Sequence, residues 1–176
     1  MKIKFCEKDK KCLFILLSTI IIGILAIVLV RNLLVFCIFL VVNAILNYYQ
    51  GRMEFPFDLT PSFVLLILFS IKFGFIYGLI FLFLGSVIPS LIAGGFDHTT
   101  FLYVGLAMAV GYLASLSLIT NIVFYGLSLI FVQTLFSFFI SMLSDDPSKM
   151  FSVFLGIALN VLYFLALNRV LLTILV

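Results

Sequence analysis

Apolar runs separated by only a few polar residues fill almost the whole chain. The uncharged stretch from Phe73 to Phe96 would measure about 36 Å as a helix, because each residue adds about 1.5 Å of rise. This length exceeds the hydrocarbon core of a bilayer. Runs of this length and composition are typical of membrane-spanning helices. The pattern therefore predicts an all-α fold, a polytopic membrane helical bundle of six or seven transmembrane helices.

The chain opens with a basic tail, residues 1–12, followed by two apolar runs. Leu13 to Val30 is longer than the core of a secretory signal and has no cleavage site at its end, which predicts a retained signal anchor with a cytoplasmic basic end. Arg31-Asn32 makes a very short break before the second run, Leu33 to Leu46, so we expect a helical hairpin. Residues 13–176 are predicted to form a single transmembrane domain.

The most polar internal segment, Gly51 to Pro61, contains two prolines, so we expect a loop with a helix start at its end. A short apolar run, Ser62 to Ile71, leads to Lys72-Phe73-Gly74. This tripeptide is either a tight turn between two spans or a point inside one broken helix. An unbroken helix over Ser62 to Ala93 would be about 48 Å long, too long for a bilayer without extreme tilt, so the turn is favoured.

The second half of the chain alternates apolar runs with short polar loops. Thr99 or Thr100 is expected to cap a helix that begins near Phe101, and Asn121 marks the next turn. Further spans are expected over residues 122–143 and 150–167, the last of them ended by Asn168-Arg169. The number of spans stays open, since a cytoplasmic lysine tail favours six and a cytoplasmic Lys72 favours seven.

Composition narrows the possible functions, because 65% of the residues are hydrophobic and 10% are charged. No stretch is long and polar enough for a separate soluble catalytic domain. The three cysteines have neither disulfide nor metal-ligand spacing, and Asp97 and His98 are adjacent without the helical spacing of a metal site. Catalytic clusters and phosphate-binding glycine loops are absent from the sequence. We expect a lipid bilayer as partner, and no nucleic acid, cofactor or enzymatic activity.

A few polar side chains interrupt the apolar segments, and they are candidates for function because a polar group inside a bilayer costs free energy. Asn43 and Asn47 are four residues apart on one helix face, Gln133 lies mid-span, and Asn160 shares a face with Tyr163. Interhelical hydrogen bonding is the first interpretation of these amides, and a pocket for a neutral or zwitterionic small molecule is the second. An interior without carboxylates argues against an ion-coupled carrier.

Small residues recur at helical spacing in the middle of the chain, and they predict close helix packing. The residues are Gly74, Gly78, Ala107, Gly111 and Ser115. The last three are spaced by four, which places them on one face of the helix that follows the polar loop at residues 96–100. We expect this face to approach a neighbouring helix closely.

Three segments follow one another in the middle of the chain: Phe57-Asp58-Leu59-Thr60-Pro61 before a short apolar helix, then Lys72 to Ile80 with its spaced glycines and Gly85, then Thr100 to Gly105. This succession resembles the substrate-binding S components of energy-coupling-factor vitamin transporters. The resemblance covers roughly residues 55–115. The rod-shape membrane proteins that scaffold cell-wall synthesis have a similar pattern.

The resemblance to S components implies six helices, a vitamin or small-metabolite pocket near the outer face, and docking to a transmembrane coupling protein with two ATPases. It implies a ligand site formed by Arg52, Glu54, Asp58, Asp97, His98, Gln133, Asn160 and Tyr163. We therefore expect a multi-pass cell-membrane subunit that binds a vitamin or similar small molecule for uptake. The alternative is a non-catalytic scaffold that recruits other membrane proteins through its small-residue faces.

Overall fold

The computed structural model describes residues 10–53, 58–95, 98–142 and 147–174. Within these ranges the chain is all-α. The seven α-helices are α1 (Lys10–Met53), α2 (Ser62–Phe73), α3 (Phe75–Leu82), α4 (Ile88–Ala93), α5 (His98–Ser115), α6 (Ile122–Met142) and α7 (Pro147–Ile174). A π-helical segment, Phe83–Val87, joins α3 to α4 without a break, so α3 and α4 together form the α3–α4 helix.

In the part of the chain that the structure describes, four helical stretches are long and apolar enough to cross a membrane, namely Leu29–Met53, Phe75–Ala93, Ile122–Met142 and Phe151–Leu171. Two shorter apolar helices cover Ser62–Phe73 and Thr99–Ser115. Many large apolar side chains on these helices are exposed, as expected of surfaces that face lipid rather than water. The predicted multi-pass membrane character is confirmed at this level.

The predicted hairpin at the start of the chain is wrong. Helix α1 continues through Arg31-Asn32 and ends only at Met53. Neither of these residues breaks a helix, and no glycine or proline accompanies them. Contacts divide the chain into two units, residues 1–37 and residues 38–176. The described part of the first unit is the N-terminal portion of α1, and helices α2 to α7 lie in the second unit.

Helix α2 forms the centre of the second unit. Every side chain from Val64 to Ser70 is buried, although a helix of 12 residues is only about 18 Å long and too short to cross a bilayer alone. A Cβ on Gly78 of α3 would collide with the Ser70 hydroxyl, and a Cβ on Gly111 of α5 would lie 3.2 Å from Leu66 Cδ1. These two glycines let α3 and α5 pack closely against α2.

The remaining predicted packing residues have different surroundings. Ala107 of α5 lies in an apolar cluster with Leu66, Leu82 and Val87. Ser115, in the last turn of α5, is half-buried, and its hydroxyl donates to a backbone carbonyl of the same helix. The Ser115 hydroxyl is therefore satisfied by a hydrogen bond within its own helix, whereas Ala107 contributes to packing between helices.

The favoured turn between α2 and α3 agrees with the structure. Helix α2 ends at Phe73, Gly74 follows with a φ of 91°, and α3 begins at Phe75. A positive φ favours glycine because it has no Cβ. Beyond its two chain neighbours, no described residue has an atom within 4 Å of the position that a Cβ on Gly74 would take. Gly74 therefore makes the turn and does not contribute to close helix packing.

Pro89 shapes the α3–α4 helix. Proline has no N–H, so the carbonyl of Gly85, four residues earlier, lacks its usual helical donor, and the proline ring would crowd it. The helix widens into the π segment at this point. Nδ2 of Asn43 and Nδ2 of Asn47, both on α1, donate to the Gly85 carbonyl at 2.9 and 3.1 Å. The two asparagines therefore make the interhelical hydrogen bonds that their spacing predicted.

Helices α6 and α7 form a closely packed pair. Asn121 Oδ1 accepts hydrogen bonds from the N–H groups of Val123 and Phe124 at 3.1 and 3.2 Å, so the predicted turn residue also caps α6. Gly126 of α6 lies against the ring of Phe164 on α7, where a Cβ would collide with the ring. The missing side chain thus sets the distance between the two helices.

Two predicted helix ends in this half are wrong. Helix α5 begins at His98, so Thr99 and Thr100 lie inside its first turn instead of capping it. Helix α7 begins at Pro147 and continues past Asn168-Arg169 to Ile174. Proline is favoured at a helix start because the first N–H groups have no helical partner. The polar pair at 168–169 does not end the helix, and Asn168 is buried there.

Candidate functional site

A cavity of about 300 Å³ lies where the loop before α2 and the end of α4 meet helices α5, α6 and α7. The volume is at the lower end of the range of small-molecule sites. Its described lining combines hydroxyls, two amides and a carboxylate with an apolar area of similar extent. The cavity can therefore hold a small ligand through several directed hydrogen bonds.

The α6 wall of the cavity carries Gln133, Thr134 and Ser137. Gln133 Nε2 donates to Ser137 Oγ at 3.3 Å, and Thr134 Oγ1 donates to the Ile130 carbonyl at 2.8 Å. Gln133 Oε1 is buried and has no hydrogen-bond partner among the described residues. A buried acceptor without a partner is costly, so a ligand donor that reached this oxygen would form a favourable hydrogen bond.

The α7 wall presents Ser152, Gly156 and Asn160, spaced by four residues and hence on one helix face. Apart from the adjoining backbone of α7, no atom of the described residues lies within 4 Å of the position of a Cβ on Gly156, so this glycine leaves open space. Val153 and Ile157 supply the apolar part of the same wall. The α7 face combines hydrogen-bonding groups at its two ends with room between them.

Asp58 lies in the loop before α2, where a short turn holds its carboxylate. Oδ1 accepts from the Thr60 N–H at 2.9 Å and from the Thr60 hydroxyl at 2.7 Å, and Gln50 Nε2 lies at 3.4 Å. This arrangement is an Asx turn, which orients the side chain. Every hydrogen bond that the described residues make to Asp58 goes to Oδ1. Oδ2 therefore keeps its capacity to accept a hydrogen bond from a ligand.

A hydrogen-bonded chain joins this carboxylate to the α3–α4 helix. Thr60 Oγ1 lies 2.8 Å from Ser62 Oγ, and Asn47 Nδ2 donates to the same Ser62 oxygen at 2.8 Å. Asn47 in turn contacts the Gly85 carbonyl. Because Thr60, Ser62 and Asn47 are buried, these bonds form in a low-dielectric environment where they hold the loop firmly. The position of Asp58 is thus fixed by the helices beneath it.

Comparison with family models, curated proteins and solved structures finds no match. The site is therefore described from its own residues. Asp58, Gln133 and Asn160, three of the predicted ligand residues, line the cavity together. They come from a loop and two different helices, so the fold unites positions that are far apart in the sequence.

The other predicted ligand residues have separate positions. Arg52 lines a second cavity, of about 450 Å³, between the end of α1 and the end of α4, and its guanidinium lies 5.6 Å from the centre of the Tyr48 ring. Tyr163 Oη donates to the Leu59 carbonyl at 2.9 Å, so it supports the loop that carries Asp58. Glu54 and Asp97 lie outside the described residues, as does the side chain of His98.

Several residues of the cavity were not predicted from the sequence. They are Thr99, Thr100, Tyr103, Thr134, Ser137 and Ser152. Part of this set has a readable signal, because Gln133 and Ser137 are spaced by four, as are Ser152, Gly156 and Asn160. Polar and small residues repeated on one face of an apolar helix indicate a surface that avoids lipid.

Proposed function

We propose that this protein is an integral membrane subunit that binds a vitamin or similar small polar molecule for uptake, together with a separate ATPase-driven coupling module. The observation that carries the proposal is the cavity on which the polar side chains of Asp58, Gln133 and Asn160 converge. Amides and hydroxyls orient a small ligand without the large desolvation cost of several buried charges. The sequence resemblance of residues 55–115 to S components supports the coupling to an ATPase module.

We infer that the four long apolar helices and the two shorter ones form six spans in a cell membrane. Helix α2 is short, but α3 and α5 enclose it, and its buried side chains need no contact with lipid. The hydrogen-bonded asparagine pair and the Gly85 carbonyl support a polar interior inside such a bundle, because buried polar groups at membrane depth need partners. This arrangement puts the cavity at one end of the bundle.

Thermal unfolding of the purified protein in detergent, with a panel of vitamins and small metabolites, tests the binding function. A ligand at about 100 times its Kd stabilises a protein by about 2.7 kcal/mol, which is measurable as a rise in Tm. Gln133→Leu and Asn160→Leu should abolish the rise. Ser128→Ala is the matched control, because its hydroxyl bonds the Phe124 carbonyl on α6 away from the cavity. A panel without any stabilising compound would count against the proposal.

Partner capture discriminates uptake from the scaffold alternative. The full-length protein is extracted from its own membrane with a mild detergent, and its co-purifying proteins are identified. ATPases together with a transmembrane coupling protein would support uptake. Cell-envelope or other membrane proteins in their place would favour the scaffold and contradict the coupling to ATPases.

A further inference from the structure

Two acceptor oxygens in the described lining of the cavity receive no hydrogen bond from the described residues. Gln133 Oε1 is buried without a partner in the described part of the chain, and the hydrogen bonds to Asp58 leave Oδ2 available. Both residues line the same cavity. A ligand that satisfies both oxygens must itself bring at least two hydrogen-bond donors.

Two donors on the α6 wall of the cavity are already used within the protein. Gln133 Nε2 donates to Ser137, and the Thr134 hydroxyl donates to the Ile130 carbonyl. Asp58 carries the single charge among the cavity residues that the structure describes. The electrostatics of this lining therefore favour a positive ligand and disfavour an anion.

We propose that the ligand is a small organic cation with N–H groups, such as an ammonium or amidinium, bound between Asp58 and Gln133. The inference rests on the proposed ligand-binding function of the cavity. A cationic N–H group makes a charge-assisted hydrogen bond to a carboxylate, which is stronger than a neutral one. A quaternary ammonium offers no N–H, and it is normally held by several aromatic rings, whereas Tyr103 is the one aromatic residue in the described lining.

Four probes of similar size separate charge from donor capacity. Benzamidine is a cation with N–H groups, benzamide is its neutral analogue, and benzoate is its anionic analogue. Benzyltrimethylammonium carries the positive charge without N–H. Binding to the purified protein at millimolar concentration is measured by saturation-transfer NMR and by the shift in Tm. Benzamidine should bind more tightly than the other three probes, including benzyltrimethylammonium. Benzamide should be the second tightest, and benzoate should bind most weakly.

Variants test whether the preference for benzamidine depends on the Asp58 carboxylate and on Gln133 Oε1. Asp58→Asn keeps an Oδ1 acceptor for the Thr60 turn but removes the charge, so benzamidine should weaken about fivefold, the range of an exposed ion pair, while benzamide changes less than about twofold. Gln133→Leu should weaken benzamidine and benzamide alike, because both use the amide oxygen. Ser128→Ala should change neither.

The outcomes separate the inference from the function on which it rests. Three results would overturn the cationic ligand and leave the binding function standing. The first is benzamide or benzoate binding as tightly as benzamidine, and the second is a preference for benzamidine over benzamide that Asp58→Asn leaves unchanged. The third such result is a neutral or anionic compound as the tightest ligand of the panel. A cationic panel ligand weakened by Asp58→Asn supports the inference. If no probe and no panel compound binds the folded protein, both the binding function and the cationic ligand are overturned.

Discussion

The Gly85 carbonyl accepts hydrogen bonds from asparagine side chains of α1, because Pro89 has no N–H to donate to it. We therefore predict an energetic coupling between the asparagine pair and Pro89. In the variant Asn43→Ala/Asn47→Ala both amide donors to Gly85 O are lost. Adding Pro89→Ala returns a backbone N–H four residues after Gly85, so the carbonyl regains a helical partner. The asparagine pair should therefore cost less stability when position 89 is alanine than when it is proline.

The size of this coupling follows from the two bonds. Interhelical hydrogen bonds in membranes average about 0.6 kcal/mol each, so two of them give about 1.2 kcal/mol. A buried carbonyl left without any partner costs about 1–3 kcal/mol. The cavity left by truncating Asn43 and Asn47 is the same in both backgrounds and cancels in a double-mutant cycle. We expect a coupling of about 1–2 kcal/mol.

Equilibrium unfolding in mixed detergent micelles, applied to the four proteins of the cycle, measures the coupling. Ser128→Ala is the matched control, because its hydroxyl bonds the Phe124 carbonyl within α6, outside the hydrogen-bonded network of Asn43 and Asn47. The effects of Ser128→Ala and Pro89→Ala should add. Additivity between the asparagine pair and Pro89→Ala would show that the asparagines do not replace the helical donor that Pro89 lacks.

Three further predictions test the packing and the sidedness of the bundle. Gly126→Ala should destabilise by about 1–3 kcal/mol through collision with the Phe164 ring, and Phe164→Leu in the same chain should recover most of the loss; no recovery would contradict the contact. Ser70→Ala should be neutral or stabilising in thermal unfolding, because its buried hydroxyl lacks a partner among the described residues, and it should reduce the cost of Gly78→Ala. In a chain without its native cysteines, Arg52→Cys and Lys72→Cys should react with a membrane-impermeant thiol reagent from opposite sides of the membrane. The reason is that the two positions lie near opposite ends of the Phe75–Ala93 span. Labelling of both positions from the same side would refute that span.

Local signals explain what the sequence could predict of the fold. Run length and apolarity identify membrane helices. A glycine between two apolar runs predicts a turn, since glycine readily adopts the positive φ that Gly74 has in the structure. The prediction of a break at Arg31-Asn32 was wrong, because polar residues alone do not end a helix. The π segment could not be predicted, since it depends on Pro89 and on amides from α1 that are some forty residues earlier in the chain.

The candidate site was predictable only where a residue type is unusual for its surroundings. Gln133 and Asn160 are amides inside apolar runs, and Asp58 precedes a helix, so each can be recognised singly. Thr134 and Ser137 cannot, because hydroxyl side chains in helices are commonly satisfied by a nearby backbone carbonyl, as Thr134 is by Ile130. Their place in the cavity depends on how α6 is rotated against α7.

An experimental structure of the protein with its tightest panel ligand tests the central claim most directly. We predict ligand density in the cavity between the loop before α2 and helices α6 and α7, with polar ligand atoms within about 3.2 Å of Gln133 Oε1 and Asp58 Oδ2. Density at another surface, or a cavity filled by the protein's own side chains while the ligand is bound elsewhere, would contradict it.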